Sequence, residues 1–176
     1  RLIVASGLLG DTAVTTAGRC SLGGKSPLTN GVKEANIGGE PGKKLARLGL
    51  RAILLEDAPE TPEPRVLHVT RDRVALLPAL DLRGARVAET LHRLRQRFGE
   101  QAGCFCIGPA GEMRLAGAAI ASTDRTGVQA RFAARGGLGA VMGSKGLKAI
   151  VLDDTGAQPE APHDPEALSA ASRELW

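Results

Sequence analysis

Two stretches of the sequence, residues 42–57 and residues 139–154, repeat one another at a constant offset of 97 positions. A further glycine pair lies just before each copy, at Gly38-Gly39 and Gly136-Gly137. A match of this length predicts an internal duplication, so we expect two similar folding units. Seven of the sixteen aligned positions are identical: Gly42/Gly139, Gly49/Gly146, Leu50/Leu147, Ala52/Ala149, Ile53/Ile150, Leu55/Leu152 and Asp57/Asp154.

Each copy is expected to fold as a glycine-rich loop, a short helix, a glycine break and a buried strand. In the first copy, Glu40 and Pro41 suit a helix start, and Gly49 suits the position just after the helix ends. The apolar runs at residues 52–55 and 149–152 favour strands. The sequence therefore predicts an α+β fold with two pseudo-symmetric sheet-plus-helix halves. The basic residues of the first helix are expected on its exposed side: Lys43, Lys44 and Arg47.

Glycine accounts for 23 of the 176 residues and concentrates in residues 7–49 and 99–146. A glycine-rich loop leading into a helix presents backbone N–H groups, so each copy is a candidate anion site. Residues 1–154 hold 22 basic and 15 acidic residues, which favours an anionic partner. Aromatic residues, which stack on bases, are limited to three Phe and one Trp. The composition thus favours a phosphorylated small molecule over a nucleic acid.

Between the copies, the sequence predicts a hairpin and one long helix. Residues 65–70 and 73–77 alternate in polarity around Arg71-Asp72, and residues 87–98 carry an apolar stripe at helical spacing that ends at Gly99. Arginines surround this stripe and leave a nucleic-acid interface over residues 83–97 as an alternative, although a solvated polar face is commoner. A strand is then expected over residues 101–107.

The C-terminal residues differ in composition from the rest of the chain. Residues 155–163 have the composition of a linker, and Asp164-Pro165-Glu166 suits the start of a helix over residues 167–175. We therefore expect a domain over residues 1–154, with its N-terminal part missing. Residues 155–176 are expected to form a linker and the first helix of a following domain.

Several local motifs predict no catalytic or metal site. The run Gly23-Gly24-Lys25-Ser26 resembles the end of a phosphate loop, but that loop needs glycine where Arg19 stands. Cys104 and Cys106 should share one strand face and be buried. The sparse, odd set of three cysteines suits a reducing compartment and predicts a cytoplasmic location. No run approaches the roughly 18 apolar residues of a membrane span, so no membrane partner is expected.

Four motifs occur in the order and spacing of one protein family. They are residues 17–29, Asn36-x-Gly38-Gly39, residues 107–112 and residues 135–145. Through them, residues 2–154 resemble the N-terminal domain of the aldehyde:ferredoxin oxidoreductase family, enzymes of tungsten or occasionally molybdenum. The resemblance implies a domain whose two halves form a base for a tungstopterin cofactor. The resemblance implies that its two molybdopterins chelate the metal and that Mg²⁺ bridges their terminal phosphates. It also implies that no protein side chain coordinates the tungsten.

The resemblance also implies individual site residues. Arg19 and Arg131 match arginines that contact the cofactor, and Gly38 matches a backbone contact. Asn36 and Phe132 match the two positions whose backbone carbonyls hold magnesium; the family more often has alanine at the second. The complete set of expected cofactor-binding residues is Arg19, Lys25, Asn36, Gly38, Arg131, Phe132 and Arg135.

By the same resemblance, the complete enzyme would oxidise an aldehyde to a carboxylic acid and pass electrons through a 4Fe-4S cluster to ferredoxin or another electron-transfer protein. The cluster cysteines and the acid/base residues of the family lie in later domains, so no catalytic residue is expected here. A homodimer is compatible with the family. Two alternatives stay open: a non-catalytic phosphate- or nucleic-acid-binding module, and a family member that reduces an aromatic acid or thioester.

Overall fold

The computed structural model describes residues 1–60, 63–124, 126–159 and 161–174, leaving aside the side chains of residues 129 and 130. Within these ranges the strands are β1 (Leu2–Ser6), β2 (Cys20–Lys25), β3 (Val32–Ile37), β4 (Ala52–Leu55), β5 (Arg65–Thr70), β6 (Val74–Pro78), β7 (Gly103–Cys106), β8 (Ile120–Thr123), β9 (Gln129–Ala133) and β10 (Leu147–Asp153). The α-helices are α1 (Pro41–Arg47), α2 (Val87–Phe98), α3 (Pro109–Glu112), α4 (Leu138–Ser144) and α5 (Pro165–Glu174).

The hairpin and the long helix between the copies are confirmed as β5, β6 and α2. Gly99 follows α2 with φ +100°, a conformation that suits glycine and ends the helix. The strand expected over residues 101–107 is shorter, spanning β7 alone. The helix expected over residues 167–175 begins earlier, at Pro165, and residue 175 lies outside the described residues.

The two halves of the chain share one topology. The first half, residues 2–55, forms a four-stranded antiparallel sheet in the order β3-β2-β1-β4. The second half, residues 103–153, forms the antiparallel order β9-β8-β7-β10 within a six-stranded sheet. Helices α1 and α4 occupy matching places before the last strand of each half. The predicted α+β fold with pseudo-symmetric halves is confirmed.

Equivalent strands also share their register. In the first half Ser21 lies opposite Asn36, one step along from the first residue of β2. In the second half Ala121 lies opposite Phe132, at the same step of β8. Asn36 and Phe132 therefore occupy equivalent positions in the two halves.

Helices α1 and α4 both lie between the two sheets, so the halves share one core. Helix α1 contacts β1 and β2 of its own half and β7 and β10 of the other, whereas α4 contacts β8 and β10 of its own half and β1 and β2 of the other. This arrangement buries apolar residues from both copies against one another, and apolar burial is the main source of folding stability. The largest of them include Leu2, Leu22, Ile37, Leu45, Phe105, Ile107, Ile120 and Leu138.

The prediction that Lys44 is exposed is wrong, because α1 is packed between two sheets. The residue is only 9% exposed, and its Nζ lies 2.5 Å from Oδ1 of Asp154, just after β10. Arg47 lies 3.3 Å from the other oxygen of Asp154 and binds both carboxylate oxygens of Asp11, at 2.8 and 2.9 Å. These ion pairs raise the pKa of Arg47, chiefly through its hydrogen bond to Asp11. They tie α1 to the last strand of the second half.

The segment between the halves covers only the second half. Strand β5 pairs with β10 in parallel, β6 pairs with β5, and α2 packs its apolar stripe on the outer face of this sheet. Cys104 and Cys106 lie under α2 on one face, fully buried, as predicted. Burial raises the pKa of the Cys104 thiol to about 12.

The prediction that both repeated strands are buried holds for β10 and is wrong for β4. In β4, Ala52 is exposed and Leu54 is 57% exposed. The reason is that β4 is the edge strand of its sheet, paired with β1 alone in the described part of the chain. None of the helices described here has both the length and the apolarity needed to cross a membrane.

Candidate functional site

The glycines before the short helices allow backbone segments to approach closely. Gly39 has φ +111°, and a Cβ added there would lie 2.3 Å from the carbonyl oxygen of Thr123. The N–H of Glu40 donates to the same oxygen at 3.0 Å. In the second half, the N–H of Gly139 donates to the carbonyl of Ala118 at 2.9 Å. These two N–H groups bond within the fold, so at these positions the glycine loops do not offer free donors to an anion, contrary to expectation.

A cleft of about 670 Å³ lies beside the loop that joins β3 to α1. The first half contributes residues 12–19, the loop residues 38–40 and Lys43, and the second half contributes Asp124 and Arg131. A Cβ added to Gly38 would lie 3.8 Å from Cγ of Arg131, so that side chain runs close to the loop backbone. Three of the expected site residues, Arg19, Gly38 and Arg131, thus come together from both halves.

Arg19 is held against β3 by a hydrogen bond. Its Nε donates to Oδ1 of Asn36, and Nδ2 of Asn36 donates to Oγ of Ser21 at 3.4 Å. The strand register makes this chain of contacts local, because Ser21 and Asn36 lie opposite one another. Arg19 itself is exposed, so its guanidinium faces the cleft with donors left over for a ligand.

Asp124 supplies negative charge on the second-half side of the cleft. Its Oδ1 accepts hydrogen bonds from the hydroxyl and N–H of Thr126, at 2.7 and 2.8 Å, and from the N–H of Val128 at 3.1 Å. The pKa of Asp124 is lowered, first by the Thr126 hydroxyl and also by the charge of Arg131. The ionised carboxylate therefore orders the β8–β9 turn and faces Arg131.

A second cleft, of about 360 Å³, lies where the edge strands β3 and β9 meet. It is lined by Ala35 and Asn36 from one half and by Phe132, Ala134 and Arg135 from the other. Phe132 is 47% exposed. The two positions expected to hold magnesium through their carbonyls thus lie in one cleft. The Arg19–Asn36 hydrogen bond connects this cleft to the larger one.

Lys25 lies apart from the other expected residues. It lines a separate cleft of about 290 Å³ with Arg1, Ser26 and residues of α4. The Gly-Gly-Lys run is part of β2, and Oγ of Ser26 accepts from the N–H of Leu28 at 3.1 Å in a local turn. The sequence is therefore not a phosphate loop here, as predicted.

Sequence reasoning missed three charged residues that line the 670 Å³ cleft: Glu40, Lys43 and Asp124. Lys43 follows the Gly38-Gly39 motif by one helical turn, which is a signal for its location. Asp124 begins a turn that ends at Gly127, a pattern typical of a carboxylate that caps its own loop. Within the described ranges, no group of three or more His, Cys, Asp or Glu side chains is placed to hold a metal.

The arginines of α2 make contacts within the fold. Arg93 donates to the carbonyl of Asp81 and lies 2.5 Å from Glu89. Arg95 donates to the carbonyl of Glu100 at 3.1 Å, which secures the end of the helix. The remaining one, Arg97, donates to the carbonyl of Pro78 at 3.2 Å and lies over the Phe98 ring. These contacts support the interpretation that the arginines of α2 form the solvated, polar face of the helix and not a nucleic-acid interface.

Comparison with known proteins identifies relatives of this chain. The family model for the N-terminal domain of aldehyde ferredoxin oxidoreductase matches residues 1–154. The chain is 38% identical over 162 residues to the tungsten-containing aldehyde ferredoxin oxidoreductase of Pyrococcus furiosus, covering 92% of this chain and 26% of that protein. It is 28% identical over 171 residues to the aliphatic sulfonate oxidoreductase, WOR-like subunit, of the same organism, covering 90% and 26%.

A solved structure has the same fold. The active site complex BamBC of benzoyl coenzyme A reductase, bound to 1,5-dienoyl-CoA, matches with a TM-score of 0.90 and 31% identity, over 99% of this chain and 25% of that chain. The chain thus spans about a quarter of the length of these relatives. The resemblance inferred from the four sequence motifs is confirmed, and the chain belongs to the aldehyde ferredoxin oxidoreductase family, in which it corresponds to the N-terminal domain.

Proposed function

We propose that the chain is the tungstopterin-binding N-terminal region of a longer, tungsten- or molybdenum-dependent oxidoreductase. One observation carries this proposal: Arg19 and Gly38 of the first half and Arg131 of the second line a single cleft. A paired cofactor needs a surface to which both halves contribute. The duplicated fold supplies such a surface, and tungsten-containing relatives support the choice of cofactor.

The residues of the cleft fit an anionic, phosphate-bearing group. Arg19, Lys43 and Arg131 outnumber the acidic residues Glu40 and Asp124. Guanidinium groups match phosphate oxygens in geometry and charge. Gly38 has no side chain, so the loop backbone beside Arg131 can be approached closely, whereas the space at Gly39 is taken by the Thr123 carbonyl. The donor set is therefore that of a phosphate site rather than of a side-chain metal site.

Each expected residue has a proposed role. Arg19 and Arg131 would bind the phosphate-bearing tails, and the carbonyls of Asn36 and Phe132 would hold Mg²⁺, a hard cation that prefers oxygen. Because a backbone carbonyl is independent of the side chain, Phe132 can serve where the family more often has alanine. Arg135 faces the same cleft. Lys25 lines another cleft, so we propose no direct contact between Lys25 and this group.

When bound, the cofactor supplies a metal centre that accepts two electrons as an aldehyde and water become a carboxylic acid. Residues 1–154 would hold and orient this group. A 4Fe-4S cluster needs four cysteines close together, whereas Cys20 lies on β2 of the first half and Cys104 and Cys106 lie on β7 of the second. Cluster ligands, acid/base residues and the contact with ferredoxin or another electron-transfer protein would come from other parts of the enzyme.

The domain boundary at residue 154 also remains our proposal. Helix α5 buries no residue in the described part of the chain, in contrast to α1 and α4. This supports a linker over residues 155–163 and a helix that belongs with a following domain. We also propose a cytoplasmic location, from the sparse and odd set of cysteines, and a homodimer, from the family resemblance.

A second candidate function is the reduction of an aromatic acid or thioester. The match to the benzoyl coenzyme A reductase complex, at 31% identity, favours it. The cofactor-binding role of this chain would be the same in either reaction. A substrate assay on the complete enzyme, with aromatic and aliphatic aldehydes set against benzoyl-CoA, separates the two. A non-catalytic nucleic-acid binder is less well supported, because the α2 arginines bond within the fold.

The test is the cofactor content of variants of the complete enzyme. Arg19→Ala and Arg131→Ala each remove a charge-assisted hydrogen-bond donor, which weakens binding by roughly 10- to 100-fold. Pterin would be released, oxidised and quantified by fluorescence, with tungsten and molybdenum measured by mass spectrometry. Arg73→Ala, an exposed arginine on the β5–β6 turn, is the matched control and should keep its cofactor. Unchanged pterin and metal in both site variants would refute the proposal.

A further inference from the structure

The cleft of about 290 Å³ that contains Lys25 concentrates positive charge from both halves of the chain. Lys25 ends β2, and Ser26 follows it in the β2–β3 turn. Arg114 lies between α3 and β8, and Lys145 directly follows α4. None of the described residues that line this cleft is acidic. We name it the basic cleft.

Three of the positive charges in the basic cleft have no counter-ion in the described part of the chain. Arg1 also lines the cleft, but its guanidinium pairs with Glu56. Lys145 donates from Nζ to a backbone carbonyl at 2.6 Å, which holds the ammonium group without neutralising it. The side chains of Lys25 and Arg114 make no hydrogen bond or ion pair with another described residue. The cleft is therefore electrostatically prepared for an anion.

Ser26 adds a buried neutral donor to the basic cleft. The residue is fully buried, and its Oγ accepts from the N–H groups of Leu28 and Thr29 at 3.1 and 3.3 Å. A hydroxyl can accept twice and donate once, so its proton remains available to a ligand. The backbone fixes its position, because the N–H of Ser26 donates to the Gly31 carbonyl and its carbonyl accepts from Asn30, both at 2.9 Å.

Strained backbone also concentrates at the basic cleft. Non-glycine residues with a left-handed φ in the described ranges are Thr16, Asn30, Asp57 and Arg114. Asn30 and Arg114 line the basic cleft, and the Asp57 carbonyl is the one that binds Lys145. Thr16 lines the 670 Å³ cleft. Residues in this conformation reduce stability and occur often where the backbone is held for a ligand, so their location supports a binding site.

The basic cleft is separate from the two clefts proposed for the tungstopterin. Lys25 lies four residues along β2 from Ser21, the partner of Asn36, which is about 13 Å at the usual rise of a strand. No described residue that lines the basic cleft also lines either of the other two. A ligand held by Lys25 is therefore a different ligand from one held at Asn36.

We propose that the basic cleft binds a phosphate group, either inorganic phosphate or the phosphate of a small phosphorylated molecule. Arg114 offers a guanidinium fork, and Lys25 and Lys145 offer ammonium donors that suit phosphate oxygens. A phosphate group carries about −1.5 to −2 charges at pH 7, so it balances three cations better than a single carboxylate does. Small-molecule sites have volumes of roughly 300–1,000 Å³, so a cleft of about 290 Å³ suits a small ligand.

This inference assigns a role to a motif that the proposed function leaves unused. Gly23-Gly24-Lys25-Ser26 is not a phosphate loop, because its first three residues belong to a strand. Lys25 and Ser26 would instead bind phosphate through their side chains. The inference does not depend on the proposed function, because none of its residues contacts the tungstopterin in that proposal.

The first arm of the test is isothermal titration of the complete enzyme with inorganic phosphate. Lys25→Ala removes a charge-assisted donor and should raise the Kd for phosphate by at least about tenfold. Lys33→Ala, an exposed lysine of the same hairpin outside the cleft, is the matched control and should change the Kd by less than about twofold. Undetectable phosphate binding by the unmodified enzyme, or equal effects of the two variants, would overturn the inference.

The pterin content of Lys25→Ala separates this inference from the proposed function. The variant should lose phosphate binding and keep its full pterin and metal. Loss of pterin together with phosphate would overturn the inference, by showing that Lys25 serves the cofactor. An enzyme without pterin that still binds phosphate through Lys25 would support this inference even though the proposed function fails.

Two substitutions of Arg114 separate a loss of binding from a loss of folding. Arg114→Ala and Arg114→Gly both remove the guanidinium, so each should raise the Kd for phosphate by at least about tenfold. Glycine adopts φ +56° without strain, so Arg114→Gly should melt at least as high as Arg114→Ala. An unchanged Kd in both folded variants would overturn the inference.

Titration with glycerol 3-phosphate, with glycerol as the control, distinguishes the two sources of the phosphate group. Binding tighter than that of inorganic phosphate, and sensitive to Lys25→Ala, supports the inference with a small phosphorylated molecule as the ligand. Equal or weaker binding with the same sensitivity supports it with inorganic phosphate as the ligand. Binding of glycerol as tight as that of glycerol 3-phosphate would overturn it, because the phosphate group would then contribute nothing.

Discussion

The two halves of this domain have the same strand order and the same register, yet they differ in what surrounds them. Residues 52–55 and 149–152 are nearly identical in sequence, but Leu54 is 57% exposed and Val151 is fully buried. The repeat therefore determines that both segments are strands and leaves their burial to neighbours elsewhere in the chain. Local sequence encodes pairing here, and tertiary context encodes burial.

Helices α1 and α4 also occupy equivalent places in the two halves, and they differ in charge. Lys43, Lys44 and Arg47 of α1 correspond, at an offset of 97, to apolar or small residues of α4: Ala140, Val141 and Ser144. The charged helix lines the large cleft and binds Asp154, whereas α4 packs against α3. One copy of the duplicated helix thus carries most of the charge, and the other serves packing.

Among equivalent residues of the two halves, Lys148 and Arg51 should differ most in the unfolding free energy that is lost on substitution. Lys148 is buried, donates to the carbonyl of Ala85 at 2.8 Å and pairs with Glu112, whereas Arg51 is exposed. Lys148→Met leaves a largely buried carboxylate without its partner and should cost about 3–5 kcal/mol of unfolding free energy. Arg51→Met should cost less than about 1 kcal/mol. Urea denaturation measures both, and equal losses would contradict the assignment of burial to the two halves.

Leu45 of α1 and Met142 of α4 are both fully buried and stand at equivalent positions. Because each helix is packed between two sheets, Leu45→Ala and Met142→Ala should each lower the free energy of unfolding by about 2–5 kcal/mol. Both losses should therefore be at least about 2 kcal/mol. A loss confined to one variant, in the same denaturation assay, would show that only one helix lies in the shared core.

Gly49 and Gly146 end the two short helices with φ +74° and φ +67°. A Cβ on Gly49 would meet no atom within 4 Å, so Gly49→Ala should cost about 1 kcal/mol, from backbone strain alone. A Cβ on Gly146 would lie 3.0 Å from Pro59 and 3.2 Å from the Glu63 carbonyl, so Gly146→Ala should cost more. Thermal unfolding of the two variants measures the difference. The reverse order would contradict the close packing of Pro59 and the Glu63 carbonyl against Gly146.

The smallest expected effect is a difference in pH dependence between the β8–β9 turn and the β2–β3 turn, which are capped by different groups. Asp124 caps the β8–β9 turn with a carboxylate, and Ser26 caps the β2–β3 turn with a hydroxyl. The pKa of Asp124 lies below its ordinary value, so its stabilisation is complete above that value and is lost as the pH falls through the lowered pKa. Amide exchange at Thr126 and Val128, corrected for its intrinsic pH dependence, should therefore quicken in acid. The turn at Ser26 should show no such change.

The sequence predicted those elements whose signals are local. The stripe over residues 87–98, the turn at Arg71-Asp72 and the repeat at offset 97 were enough to place α2, the β5–β6 hairpin and both short helices. The burial of Lys44 was not predictable, because its partner Asp154 lies on the other half. The role of Gly39 was misjudged for a similar reason, since the carbonyl that it accommodates belongs to Thr123 of β8.

The candidate site shows the same division between features with a sequence signal and features that depend on contacts between the halves. The family resemblance selected Arg19, Gly38 and Arg131, and the structure brings these three to one cleft. The separation of Lys25 from them depends on the direction of β2, which carries that residue to the far end of the strand. Asp124 lies outside the four family motifs, and only the pairing of the halves places it in the cleft. Lys43 also lies outside them, although its position one helical turn after Gly38-Gly39 is a local signal.

The central claim is that a duplicated domain serves a paired cofactor, and the ratio of pterin to metal in the complete enzyme tests it most directly. The account predicts two pterin units for each tungsten or molybdenum ion bound, with loss of both when Arg19 or Arg131 is replaced by alanine. A single pterin per metal ion, or a fully folded enzyme that contains neither, would contradict it.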